Sequence, residues 1–256
     1  MNRRSCLYVL LCLLLLPFRM GGQELPSLSF NEVMVANIDQ YVDPCWNYGA
    51  WVELYNSTER SISIRGYWLS DDSTNLKKLR ISTSQVVPAN GFLNLWFDNY
   101  NKYSLTQMNM KLDADGGTLF LTNWSGVKVA EVTFPPAIAR SSYARTTDGL
   151  GEWVWSPTPT PMASNEGMSF AENRLPTPEV SHESCFFSGT LNIKVDIPEG
   201  CVLKYTTDGS TPSRSNGATS SNGEFAVTNS SVYRFAFVRE GYLNSRVVTR
   251  SFLTQT

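Results

Sequence analysis

Seven acidic residues, Glu32, Glu53, Asp71, Asp72, Asp98, Asp113 and Asp115, lie in or beside strand-like segments of this chain. Two carboxylates alone can hydrolyse a glycosidic bond, provided they converge to within about 5 to 9 Å. Spacing along the chain does not supply that convergence. Other catalytic routes are closed by composition. A histidine-based triad would have to use His182, the only histidine, which stands in "EVSHESCFF" and reads as an exposed or capping residue. Gly-rich phosphate loops are missing, and the scattered cysteines do not make a tetrahedral thiolate cage. "KLDADGG" (111–117) resembles the start of a calcium loop, but such a loop needs about six to eight oxygens and an acid about twelve positions on. No glutamate completes it, so Asp113 and Asp115 read as turn residues, as do Asp71 and Asp72. The expectation is no catalytic residue, no metal ligand and no cofactor.

The chain begins "MNRRSCLYVLLCLLLLPFRMGGQE": two arginines, an apolar run and small residues near a plausible cut. This reads as a secretory signal peptide over residues 1–23. The run is shorter than the roughly 20 residues of a spanning helix, so no membrane span is expected after its removal. Cys12 sits inside the apolar run after Leu11, which argues against lipidation. Cleavage would leave 18 basic and 23 acidic residues, a formal charge of about −5. Nucleic acid would need clustered Lys and Arg. The triplet Lys77, Lys78 and Arg80 alternates along a strand and reads instead as edge protection. Cys45, Cys185 and Cys201 would survive export. Cys185 and Cys201 could form a disulfide in an oxidising compartment, leaving Cys45 as a small buried hydrophobe.

The elements that must position these residues are strands. Apolar residues recur with period two, and no long window has the i, i+3, i+4 spacing of an amphipathic helix. Strands are predicted at 28–36, 50–56, 61–70, 91–99, 118–123, 127–134 and 152–156, separated by turn signals such as "NSTE", "PANG" and "NWSG". "SPTPTPMASNEG" (156–167) then favours an extended chain, because its prolines cannot donate to a ladder. A second β series follows at 188–198, 201–209, 223–229, 231–240 and 245–254.

Within "AWVELYN" (50–56), alternation puts Trp51, Glu53 and Tyr55 on one face and Val52, Leu54 and Asn56 on the other. A carboxylate among aromatics needs backbone N–H donors, a cation such as Arg65, or a raised pKa. Surface aromatics are the remaining functional resource. Trp46, Tyr48, Trp124, Trp153 and Trp155, with Tyr100 and Tyr103, fall at strand ends or in loops, where a ring can stack on a sugar or fill a partner's pocket. The first five form the candidate binding surface.

"FNEVMVAN", "WVELYN", "ISIRGYWLSDD", "VVPANGFLNLWFDN", "KLDADGGTLFLTNWSGVKVAEVTF", "SYARTTDG" and "EWVWSPTPTPMASN" occur in an order that resembles a bacterial lamin-tail domain over about residues 26–165. Glu32, Asn37, Trp51, Glu53, Asn56, Gly66, Leu69, Ser70 and Asp71 correspond to the family's signature positions. The segment 38–50, with Trp46 and Tyr48, departs from the pattern as an insertion. "VLKYTTDGSTPS" (202–213) and its flanks resemble the C-terminal β-sandwich of chitobiases and β-hexosaminidases over about residues 177–254. Bottom-up, glycine at 209 tolerates φ > 0 and Asp208 can accept the N–H two residues on.

Together these resemblances imply an all-β protein of two tandem immunoglobulin-like sandwiches. The expected division is a signal peptide (1–23), a lamin-tail-like sandwich (24–165), a linker (166–176) and a fibronectin-III-like module (177–256). They also imply a non-catalytic bacterial protein, secreted, periplasmic or at the cell surface, that binds or tethers an envelope protein or glycan. The rival is a carbohydrate-binding accessory beside polysaccharide-degrading enzymes.

Overall fold

The computed structural model describes residues 26–99 and 104–255; the expected signal peptide, Tyr100 and Tyr103 lie outside them. Every regular element among the described residues is a strand. In the first part these are β1 (Leu28–Met34), β2 (Ala50–Asn56), β3 (Ile62–Ser63), β4 (Trp68–Ser70), β5 (Leu79–Arg80), β6 (Val86–Val87), β7 (Gly91–Phe97), β8 (Gln107–Met108), β9 (Gly117–Thr122), β10 (Lys128–Phe134), β11 (Ser142–Thr147) and β12 (Leu150–Ser156). The predicted strand 61–70 divides into β3 and β4 around Gly66, whose φ of +83° suits a residue without Cβ.

A six-stranded sheet, β12-β11-β1-β2-β7-β8, and a four-stranded sheet, β10-β9-β4-β5, enclose one core. Phe30, Val33, Val52, Leu54, Leu69, Leu95 and Leu121 fill it, each nearly or fully inaccessible. The alternation in β2 is as expected: Val52 and Leu54 enter this core, while Trp51 packs on the opposite face with Met34 and Trp96. The large sheet is therefore covered on both sides, and both faces of its central strands are buried.

The second part contains β13 (Cys185–Phe187), β14 (Leu191–Lys194), β15 (Val202–Thr206), β16 (Ala218–Ser220), β17 (Glu224–Val227), β18 (Ser231–Val238) and β19 (Val248–Thr254). A five-stranded sheet, β13-β19-β18-β15-β16, faces the β14-β17 pair across Leu203, Ile193, Phe235, Phe237 and Phe252. The Asp208–Gly209 turn forms as expected: Asp208 Oδ1 accepts the Ser210 N–H at 2.9 Å and Gly209 has φ +82°. Cys45, Cys185 and Cys201 are all free thiols.

Residues 171–175 run between the two parts and bond to both. Ala171 N–H donates to Trp155 O at 2.8 Å, while Glu172 N–H donates to Gly241 O at 2.9 Å. Leu175 N–H donates to Leu243 O at 3.0 Å, and Leu243 N–H returns to Asn173 O at 2.9 Å. Ile138, Trp155, Ala171 and Leu243 bury themselves together at this junction. These residues, within the expected linker 166–176, are held by hydrogen bonds on both sides.

Candidate functional site

Two glutamates stand face to face in the middle of the large sheet. Glu32 on β1 is directly opposite Glu53 on β2, and both are 0% exposed. Strict alternation would send Glu32 to the same side as Phe30, into the core. A β-bulge intervenes: the register shifts between Phe30 and Glu32, so Asn31 is an extra residue and Glu32 turns to the outer face. The bulged residue is itself a connector. Asn31 Nδ2 donates to Glu53 Oε1 at 3.0 Å and to Asp148 Oδ1 at 3.1 Å, and its Oδ1 accepts the Gly149 N–H at 3.0 Å.

The lid over this pair is the Pro/Thr-rich run. Prolines at 157, 159 and 161 have no N–H, so the donors of that run belong to Thr158, Thr160 and Met162. Each has a partner. Thr158 N–H donates to Ser156 Oγ at 3.1 Å, Thr160 N–H to both Glu32 oxygens at 3.2 Å, and Met162 N–H to Glu53 Oε2 at 2.6 Å. A segment laid over buried carboxyls thus leaves no donor unmatched, the condition for burying backbone. Downstream, Asn165 N–H and the Ser164 hydroxyl both bond Asp148. Met162 has φ +63°, an uncommon conformation for a side chain of its kind.

Burial dominates the electrostatics. It pushes Glu32 up to about 7, against the opposing bonds from Thr160 and with a smaller upward push from Asp148. It pushes Glu53 well above the ordinary carboxylate range, opposed by Asn31 and assisted by the nearby Glu32. Of the three solutions open to Glu53, the structure uses two, an N–H donor and a raised pKa; Arg65 is exposed. Two unlike acids within one site would suit proton transfer; here both are 0% exposed beneath the 157–165 run. Among the described residues no group of three or more His, Cys, Asp or Glu side chains could hold a metal ion. Asp72 and Asp113 are turn residues, accepting from Thr74 N–H at 2.8 Å and Asp115 N–H at 2.9 Å, and Asp71 pairs with Lys78 at 2.6 Å.

The five candidate aromatics separate into three places. Trp46 is 88% exposed at the tip of the 38–49 loop, beside the 48% exposed Tyr48. That loop is built rather than loose. Asp43 accepts the N–H groups of Cys45 at 2.7 Å and Asn47 at 2.8 Å, Asn37 bonds Tyr41 and Gly49, and the Tyr41 hydroxyl donates to Pro159 O at 2.7 Å. Trp124, 75% exposed, tops the β9–β10 turn, where Asn123 Oδ1 accepts from Ser125 at 3.1 Å and Val127 at 2.9 Å. Trp155 is 7% exposed, not the exposed ring expected, and belongs to the junction cluster, where its ring fills the contact between the two parts. Trp153 is half-buried, with Tyr143 stacked on one side at 5.6 Å and the Arg145 guanidinium at 4.8 Å from its centroid.

Trp153 and Trp155 nevertheless line the same cleft, of about 630 Å³, at the junction. Its other walls include Pro135, Pro136, Ile138, Tyr143, Asn173, Arg174 and Arg246. Arg174 Nη1 donates to Asn244 O at 3.2 Å, and burial followed by the nearby Arg246 lowers its pKa. Sequence reasoning missed the two arginines, which stand 72 positions apart in otherwise unremarkable stretches. It also missed Asn31 and Asp148, although an Asn–Glu pair inside a strand-like run is compatible with a bulge.

A family model described as Lamin Tail Domain matches residues 23–136, less than half of the chain. No curated protein matches. Two similar solved structures are the human OSCAR ligand-binding domain (8% identity, 89% of this chain and 96% of the other, TM-score 0.22) and the BSP domain of a biofilm-associated protein (12% identity, 91% and 53%, TM-score 0.21). Likeness at such TM-scores carries no argument about this chain. The first part of the chain, over residues 23–136, is similar to lamin tail domains, and its fold is an all-β, immunoglobulin-like sandwich.

Proposed function

We propose that the chain is an exported, non-catalytic bacterial protein that binds or tethers a partner at the cell envelope. The observation that carries this reading is the contrast in exposure: the face-to-face acids are sealed, whereas Trp46 and Trp124 stand out from loops that hydrogen bonds hold in shape. A rigidly presented indole loses little freedom on binding and buries a large apolar area. The similarity to lamin tail domains supports the same reading, as does the resemblance of the C-terminal part to the chitobiase-type module. The expected leader supports export.

The test is a pull-down from envelope fractions with the mature chain, its Trp46→Ala and Trp124→Ala variants, and a glycan array in parallel. Both substitutions are expected to change unfolding free energy by no more than about 0.5 kcal/mol, as for exposed sites in general, while capture of envelope protein is lost with at least one. Capture unaffected by either would overturn the role given to these rings. A second reading, a carbohydrate-binding accessory, is favoured by one observation: the junction cleft joins guanidinium groups to an aromatic rim.

A further inference from the structure

We infer that the junction cleft is a binding site for an acidic sugar, a uronate unit of a carboxylated polysaccharide. The inference rests on the reading of the chain as a binding protein and not on which partner Trp46 and Trp124 meet.

The groups facing the cleft are unequal in hydrogen-bonding sense. Arg174 uses one N–H on Asn244 O, and among the described residues no carboxylate pairs with Arg174 or Arg246. Asn173 turns its Oδ1 to the Arg174 N–H at 2.8 Å, leaving its amide donors. Tyr143 and Trp153 add an O–H and an N–H with no partner among the described residues. Glu172 is the one carboxylate lining the cleft, and the Tyr242 hydroxyl donates to it. A wall rich in unmatched donors calls for a ligand rich in acceptors.

Charge narrows the class. Two guanidiniums and one carboxylate line the cleft, Arg246 acts on Arg174 as a like charge, and Glu152 stands near Tyr143 on the wall. An anion relieves the mutual repulsion and can take a planar, two-point bond from arginine. Size and surface narrow it further. A volume of about 630 Å³ exceeds what a bare inorganic anion fills. Pro135, Pro136 and Ile138 give the remaining wall an apolar character, against which the C–H face of a pyranose can pack. Carboxylate, hydroxyls and a C–H face together describe a uronate.

The test is calorimetric titration of the mature chain with an oligogalacturonate, a neutral glucan oligomer of equal length, and inorganic phosphate. The uronate is expected to bind with salt-sensitive affinity that drops at least tenfold in Arg246→Gln, recovers in part in Arg246→Lys, and is lost in the Arg174→Gln/Arg246→Gln double variant. Arg246 is exposed, so its variants report on the cleft even if loss of the Arg174 bond to Asn244 disturbs the fold. Equal binding of the neutral oligomer would overturn the role of the arginines. Phosphate bound as tightly as the uronate would overturn the sugar. Binding of none of the three, with near-ultraviolet circular dichroism unchanged, would overturn the site and leave the envelope-attachment reading to the Trp46 and Trp124 variants.

Discussion

Glu32 and Glu53 make the chain's stability depend on pH in an unusual direction. Most native carboxylates are held below their ordinary pKa and acid unfolds them. Here the folded state holds the protons more tightly than the unfolded chain, so stability falls as pH climbs from about 4.5 toward about 7, and Glu53 extends the decline further. For Glu32 alone the loss is roughly 3 kcal/mol across that window, taking about 1.4 kcal/mol per pKa unit. Thermal denaturation followed by circular dichroism should give a higher Tm at pH 5 than at pH 8, and Glu32→Gln should flatten the profile. A Tm that rises toward pH 8 in the wild type would contradict the assignment. The cost of an acid among aromatics was legible in "AWVELYN". The partner acid was not, because simple alternation assigns Glu32 to the core side, and only the extra residue at Asn31 turns it outward.

At the scale of elements, turns and coverings decide which segments are fixed. Gly223 has φ +70°, and a Cβ there would come within 2.0 Å of Val195 O; Gly209 has a similar φ of +82° with open space around it. Urea titration should therefore separate the two. Gly209→Ala is expected to cost about 1 kcal/mol from backbone conformation alone, and Gly223→Ala more than about 2 kcal/mol, since the end of the β14–β17 pair must shift as well. β10, with one face largely exposed, was legible because burial of one face enforces period two, whereas β2, β7, β9 and β18 were legible from their runs of apolar and aromatic residues between turn signals. β5, β6 and β8 span two residues each and β16 three, too short to show any period; β11 was hidden in "SYARTT", whose polar residues lie at the edge of the covering segment.

For the whole molecule, the decisive feature is that the connecting residues bond to both parts. Leu243 reaches from the second sandwich into the cluster with Trp155 and Ala171. Leu243→Asp should place a charge in that cluster and loosen the junction while leaving both cores intact. Calorimetry is expected to resolve one unfolding transition in the wild type and two in the variant, with small-angle scattering showing a larger radius of gyration. An unchanged scattering profile would mean the backbone ladder at 171–175 suffices without the apolar contact. That two β units follow one another was readable from strand spacing and the proline run. That they share a small core was not, since its members come from four separate stretches of chain.

The alternation of proline with donor residues at 157–162 makes that run more sensitive to phase than to side-chain identity. Thr160 and Met162 act there through amides that nearly every amino acid possesses. Their side chains add smaller contributions, the Thr160 hydroxyl donating to Asn165 Oδ1 at 3.1 Å and Met162 Sδ accepting the Asn94 N–H at 3.2 Å, whereas inserting a single residue between 157 and 159 would bring pyrrolidine nitrogens opposite both acids at once. In a scan read by soluble yield, that short window should tolerate substitutions of Thr160 or Met162 to alanine far better than a one-residue insertion between 157 and 159.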